Sequence, residues 1–460
     1  MKKFFASVAM FVLLAILTIT MVGCGSRSAK MKEGNIDKAT SMQVGEDGKF
    51  RVLQFTDTHL IGNGKTKRDQ QTLRWMSDAV TLYKPDLVEL TGDITGSGTK
   101  GRDAGILAIA NMFEEMKQPW AYSFGNHDGE WSKVDYDGKK HSKDKWIGKE
   151  GKATSVKEVC STIDFDAKKY NGDLIFGDNT KGNQEIFNLL GGYEYCLSRQ
   201  SAEELKNPTA MGVGNYVIDL KNASGKTIYA LIHMDTHGKM YFNPAGNTDP
   251  SKFSDVGYVG LTDAQIDWYK VQAKKYANLY GEGQGVKTAV FMHIPHFGFR
   301  ESTENMTEIS EYGVPQFEEK PNLAELIKPH LFENTTFVKQ EGIYSSRWED
   351  NLESAIDEFK TTNFIAVGHD HNNSFSLKKD IGKKYLGDGE DENNIVISYG
   401  RCSGVNAWGR RINIGATIID IDTTKTDLEG MYDVEVVYPT FSYIQKHKGE
   451  NINVTEPHLN

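Results

Sequence analysis

Apolar residues along the chain gather into short continuous runs that stop abruptly in polar or charged residues, and these runs alternate with stretches of helical spacing. Val52 to Phe55 is the first, and it ends in Thr56-Asp57-Thr58-His59. A bounded apolar run of this length reads as a buried strand. Gln70 to Tyr83 then sets Leu73, Met76, Val80 and Tyr83 at helical spacing, and Lys84-Pro85 closes the helix. Asp86 to Leu90 reads as the next strand and runs into Thr91-Gly92-Asp93. A second helix, Gly105 to Met116, leads to the strand Trp120 to Phe124 and to Gly125-Asn126-His127-Asp128. Farther on, Ala289 to Met292 ends in His293, and Phe364 to Val367 ends in Gly368-His369-Asp370-His371. Tyr216 to Leu220 and Thr227 to Met234 read as a hairpin around Asn222-Ala223-Ser224-Gly225. Thr262 and Gln265 have the spacing of a capping box before a helix that carries Ile266, Tyr269 and Ala273. Ile395 to Tyr399, Ile414 to Ile421 and Val434 to Tyr438 follow as late strands.

Strand, helix, strand units form parallel pairs, and open parallel sheets collect their sites beyond the carboxyl ends of the strands. The polar residues that end these strands therefore share one rim. In extended chain residues i and i+2 face one side, so Asp57 and His59 can reach one ion. An isolated Asp-x-His is commonly a solvated turn, and an Asp after Gly is commonly a turn residue. Recurrence at the ends of several strands is what separates the two readings. Carboxylate, amide and imidazole donors together suit a divalent first-row cation.

With Asp57-x-His59, Gly92-Asp93, Gly125-Asn126-His127-Asp128, His293 and Gly368-His369-x-His371 in this order, residues 50 to 420 resemble the calcineurin-like metallophosphoesterases. Gly214-Asn215-Tyr216, Glu341-Gly342-Ile343-Tyr344 and Gly368 to Asn373 are similar to the branch with small purple-acid-phosphatase-like proteins. The resemblance implies a four-layer α/β/β/α sandwich of two mixed sheets with outer helices. It also implies two divalent or trivalent metal ions, of Mn, Fe or Zn. One would take Asp57, His59 and His371, the other Asn126, His293 and His369, with Asp93 bridging. His127 would protonate the leaving oxygen, and Asp128 would orient His127. A shared carboxylate would hold such cations about 3.5 to 4 Å apart, and a water bridging the cations would lose a proton near neutral pH to give the hydroxide that attacks phosphorus. Two positions depart from the family. Gly96 stands where a further Asp, or the Tyr ligand of purple enzymes, is usual, and Asp128 stands where Glu is common. The first departure predicts that no tyrosinate ligand is present.

Composition adds limits. With 460 residues, 38% hydrophobic and 25% charged, the chain is of ordinary globular make-up. A net charge of -10 indicates no nucleic-acid-binding surface, although cations in a site reverse the sign a phosphate meets locally. Lys2 and Lys3 precede an apolar run from Val8 to Val22 that is short for a spanning helix and ends in Met21-Val22-Gly23-Cys24. This resembles a bacterial lipobox, in which Cys24 carries the lipid. The expected organisation is a signal peptide over 1-23, a lipidated and flexible tether over 24-48, the phosphoesterase domain over 49-445 and a tail over 446-460. The expected location is outside the cytoplasm, held on the cell membrane by lipid. Cys160, Cys196 and Cys402 remain; Cys160 and Cys196 are weighed as a disulfide and as buried thiols, with the thiols favoured.

Several residues are left out of the centre. His233 reads as a core histidine, and Trp75 and Trp268 as helix-face core. His296, close to His293, and Arg401, after a strand, are candidate substrate contacts. The long stretches Asp128 to Ala210 and Gly298 to Trp348 leave the rim and should wall the site. The sequence thus predicts a metal-dependent hydrolase of phosphate esters, acting on a small molecule or a cell-surface substrate. The alternative is a surface lipoprotein that binds metal or phosphate ligands without turnover.

Overall fold

A computed structural model describes residues 40-61, 64-96, 102-129, 154-163, 165-176, 180-247, 252-303, 331, 337-346, 348-381, 394-409, 414-437 and 439. Its strands in chain order are β1 (Thr40–Gln43), β2 (Lys49–Phe55), β3 (Leu87–Thr91), β4 (Trp120–Ser123), β5 (Thr154–Ser155), β6 (Gly172–Phe176), β7 (Tyr216–Lys221), β8 (Thr227–His233) and β9 (Lys239–Pro244). They continue as β10 (Ser254–Tyr258), β11 (Lys287–Phe291), β12 (Val338–Lys339), β13 (Thr362–Val367), β14 (Asn373–Asp380), β15 (Asn394–Tyr399), β16 (Ala416–Asp422) and β17 (Tyr432–Val437). Among the described residues they form an eight-stranded sheet in the order β1-β7-β8-β11-β13-β15-β14-β12 and a five-stranded sheet in the order β17-β16-β2-β3-β4. A third, four-stranded sheet has the order β10-β9-β6-β5.

Three apolar layers show how the elements stack. Val52, Leu87 and Ala121 of the five-stranded sheet pack with Ile218, Leu231 and Phe364 of the eight-stranded sheet, so the two sheets face each other. Leu53, Val88 and Leu90, on the opposite side of the same strands, meet Leu73 and Met76 of the helix Lys67–Tyr83 and Phe113 of the helix Arg102–Glu115. Ile232, Val290 and Ile365 likewise meet Ile266 and Tyr269 of Asp263–Ala277, and Ile356 of Leu352–Phe359. Alternate residues of one strand thus fill different layers, as a period of two requires. The result is the expected four-layer α/β/β/α arrangement of a metallophosphoesterase-like fold. Strands β2, β3 and β4 run parallel, as do β8, β11, β13 and β15, which brings their carboxyl ends to shared edges.

Local signals explain the element ends. Thr66 caps the first helix through Asp69, Lys84 ends it in the left-handed region, and Thr262 with Gln265 closes a full capping box. The hairpin between β7 and β8 turns on Asn222, whose side chain accepts from Ser224 and Lys226. Trp75 and Trp268 lie in the core. His233 does too: its Nε2 lies 2.9 Å from Oε1 of Glu89, which joins β8 to β3 across the sandwich, and its ring stacks on Tyr216.

Two differences from expectation have simple causes. The stretch read as tether is ordered from Thr40, because β1 adds parallel to the edge of β7 and Val44 is buried. Periodicity over four residues is too short to announce such a strand. The sheet of β5, β6, β9 and β10 is also absent from the sequence reading, since its strands come from an irregular insertion and from chain beyond β8. Cys160, Cys196 and Cys402 are free and buried, Cys160 and Cys196 in separate apolar clusters. Residues 1-23, Cys24 and the tail 446-460 lie outside the described residues. Among the described residues no helix is long and apolar enough to cross a membrane.

Candidate metal centre

Where β2 and β3 end, their outgoing chains stay zipped together. Asp57 N donates to Gly92 O at 3.0 Å, His59 N to Asp93 O at 3.0 Å and Leu60 N to Ile94 O at 2.8 Å. Within this paired exit Asp57, His59 and Asp93 take φ of 53°, 44° and 51°, and His369 beyond β13 takes 88°. Non-glycine residues in such conformations cost about 1 to 3 kcal/mol each and concentrate at functional sites. The turn after β4 packs tightly on Asp93: a Cβ on Gly125 would sit 2.2 Å from both the Asp93 nitrogen and its Oδ1. Glycine is needed there by close approach alone.

These turns bring the predicted residues together. Asp57, His59 and His371 can place one donor atom each in a common group, and Asp93, His293 and His369 do the same. Asp93 touches both groups, because its Oδ2 lies 3.3 Å from His293 Nε2 and 3.7 Å from His59 Nε2. Asp57 Oδ1 lies 3.4 Å from His371 Nε2 and 3.7 Å from His59 Nε2. Its other oxygen is occupied, accepting from the His369 backbone at 2.9 Å and from the Thr56 hydroxyl at 2.8 Å. Asn126 is buried between Gly125 and His127, and the His127 N–H donates to Asp93 Oδ1 at 2.8 Å.

The donor set fits a pair of cations. His293 Nδ1 faces the Thr91 carbonyl at 2.7 Å and His371 Nδ1 faces that of Trp408 at 2.8 Å. A neutral ring held in this way donates through Nδ1 and leaves the Nε2 lone pair aimed inward. There the nitrogens meet one another: His371 Nε2 is 2.9 Å from His59 Nε2, and His293 Nε2 is 3.3 Å from His369 Nδ1. Two lone pairs so close need a proton or a cation between them. Asp57 Oδ1, buried, accepts no hydrogen bond among the described residues, which leaves it for the same purpose.

Electrostatics agree. Burial opposes ionisation of Asp57 and Asp93, but the surrounding imidazoles hold both carboxyl groups well below the usual range, His371 and His59 for Asp57 and His293 above all for Asp93. Burial keeps His59 below its ordinary value and His369 well below it. For His293 burial is outweighed by Asp93, and the ring is pushed up to about 10; His371 is raised through Asp57. Anionic carboxylates with neutral or exchangeable imidazoles make a cation-binding set.

Asp128 has backbone partners that no motif announces. Its carboxylate accepts backbone N–H groups of Gly125 at 2.8 Å, Ile94 at 2.9 Å, Asp93 at 3.0 Å and Thr95 at 3.3 Å. It clamps two turns of the cage. Burial and then the Asp93 charge push it up to about 6. His127 itself is half-buried, its ring 5.7 Å from that of His59. Both candidate substrate contacts are buried. His296 is 1% exposed, its Nδ1 accepting from Gly298 N at 3.0 Å, and Arg401 is buried, its N–H donating to Thr417. Neither lines the cavity beside the centre, which has a volume of about 800 Å³ and is bordered by Tyr258, Phe297, Arg300 and Tyr344. Sequence reasoning assigns none of the four to the site: no motif marks Tyr258, Phe297 or Arg300, and Tyr344 falls in Glu341 to Tyr344, a stretch that marks a family branch and no role. As expected, the chain between Gly298 and Trp348 supplies part of that wall.

Comparison with known proteins follows the same lines. Residues 50–160 match the family described as calcineurin-like phosphoesterase. The phosphatase DCR2 of Saccharomyces cerevisiae is 23% identical over 362 residues, 74% of this chain and 47% of that protein. A protein of Arabidopsis thaliana named "Probable inactive purple acid phosphatase 29" is 33% identical over 97 residues, 18% of this chain and 25% of its own. The chain thus spans less than half the length of either relative. A purple acid phosphatase from yellow lupin seeds aligns over 88% of this chain and 56% of its own, with 10% identity and a TM-score of 0.40. The matched family implies two metal ions, and the two donor groups provide the places for them.

Proposed function

We propose that the protein is a dinuclear-metal hydrolase of phosphate esters, with Asp57, His59 and His371 at one ion, Asn126, His293 and His369 at the other and Asp93 between. The observation that carries this reading is the Asp93 carboxylate, which reaches His59 of one donor group and His293 of the other. Bound cations of Mn, Fe or Zn type supply Lewis acidity, neutralising phosphoryl charge and making a water nucleophilic near neutral pH. The chain does the rest. Buried carbonyls fix the imidazole rings, Asp128 holds the turns, and half-buried His127 delivers a proton to the departing oxygen. A membrane-tethered location outside the cytoplasm is part of the proposal, supported by the basic, apolar and Cys24 pattern at the start of the sequence.

The test is p-nitrophenolate release from p-nitrophenyl phosphate and from bis-p-nitrophenyl phosphate by chain loaded with Mn, Zn or Fe. Turnover of either supports the hydrolase. Two bound metals with no turnover of either substrate would leave a metal- or phosphate-binding lipoprotein instead.

A further inference from the structure

We infer that the cavity beside His369 holds the part of the substrate beyond the reacting phosphoryl group, and that Arg300 selects molecules carrying a second phosphate next to a planar ring, as a nucleoside diphosphate does. This rests on the dinuclear reading of the metal centre and names its substrate class.

The cavity adjoins the centre through two of its wall residues. Tyr258 lines it and sets its ring edge-on to His369, with centroids 4.5 Å apart. Tyr344 lines it too, and its backbone N–H donates to Oδ2 of Asp370, the residue between the two rim histidines, at 3.2 Å. A ligand lying against both tyrosines is therefore beside the cage. The volume of about 800 Å³ falls in the usual range for small-molecule sites and accommodates a nucleoside.

Its chemistry is cationic and aromatic. Lys239 is paired with Asp255 at 2.6 Å, so these two charges offset each other. Arg300 lies on the helix Phe297–Thr303, partly buried, and no carboxylate among the described residues pairs with it. In a chain of net charge -10 a guanidinium in a cavity with no carboxylate partner among the described residues is a conspicuous choice. Its rigid fork matches two phosphate oxygens at once. Phe297, Tyr258 and Tyr344 add flat faces, and Tyr344 is 55% exposed. Aromatic walls around an anion-binding fork suit a ring and a phosphate on the same molecule.

The test uses the metal-loaded full chain and calorimetric binding of α,β-methylene-ADP, which carries two phosphorus groups and resists cleavage, against AMP, which carries one. Arg300→Ala should weaken the diphosphate analogue by about 10- to 100-fold and AMP by less than about 3-fold, with Arg300→Lys between. Metal content of the variants should equal that of the wild type. Equal losses for both nucleotides, or no loss for the analogue, would overturn the assignment. Selective binding by wild type that releases no phosphate from ADP or p-nitrophenyl phosphate would count against the hydrolase reading alone and leave the selectivity of Arg300 standing.

Discussion

Asp93 Oδ2 rests 3.3 Å from His293 Nε2, although one residue follows β3 and the other follows β11 in the opposite sheet. This contact links the two halves of the sandwich through the cage. Asp93→Ala should therefore lose bound metal, whereas His127→Ala should retain two ions and lose about 10²- to 10⁴-fold in turnover. Metal content by mass spectrometry beside steady-state rates separates the two. Equal metal loss in both variants would remove the distinction between a bridging ligand and a proton donor.

Removal of the Asp128 clamp should act on architecture before it acts on rate. Asp128→Ala leaves four backbone donors without their acceptor, at about 1 to 3 kcal/mol for each that stays buried and unmatched. A fall of several degrees in Tm together with lost metal is expected. Unchanged metal and Tm with a slow rate would restore Asp128 as the partner of the His127 ring.

A second buried polar pair supports the cavity. Lys379 Nζ lies 2.7 and 2.6 Å from the oxygens of Glu353, both side chains almost fully enclosed. Removing one partner of such a pair costs about 3 to 5 kcal/mol, so Glu353→Ala should lose that much in urea unfolding. Glu353 also lies 3.7 Å from His296, just before the helix that carries Arg300, so this variant should bind nucleotides more weakly as well.

Acid should find His296. Burial, the largest influence, lowers it from 6.5 to about 4, so the unfolded chain takes up a proton that the folded chain refuses. The contribution of this ring to stability is complete above its unfolded value and is lost as pH falls from about 6.5 to about 4. The stability difference between wild type and His296→Asn should change across that interval and be flat above it. Denaturant midpoints at a series of pH values provide the check.

Iron gives an optical prediction. Gly96 stands where the tyrosine ligand of purple enzymes is usual, and Tyr258 meets His369 by its ring. Chain loaded with ferric iron should lack a strong visible charge-transfer band. A purple product would require a tyrosinate ligand and a different cage.

The strands and the candidate ligands were legible in the sequence for one reason: buried strands are continuous apolar runs, and the residues that end them gather at one rim. Asp57, Asp93, His293 and His369 are each found this way. What could not be read were relations between distant segments. Arg300, Tyr258 and Tyr344 belong to a helix, a hairpin and a loop with no common pattern, and only folding sets them around one space. Asp128 was legible as part of the site but not as a clamp, because its partners are backbone groups that carry no side-chain signature. Strand β1 escaped because an edge strand needs only its neighbour's free hydrogen-bonding groups.

That edge strand has a mechanical consequence. Thr40 to Gln43 lie parallel to Ile218 to Lys221, so tension arriving from earlier residues along the strand axis loads these pairings in shear, where they share the force instead of opening one by one. A tug on the leading end is thus received first by the outer edge of the eight-stranded sheet, three strands away from β11 and the His293 that follows it.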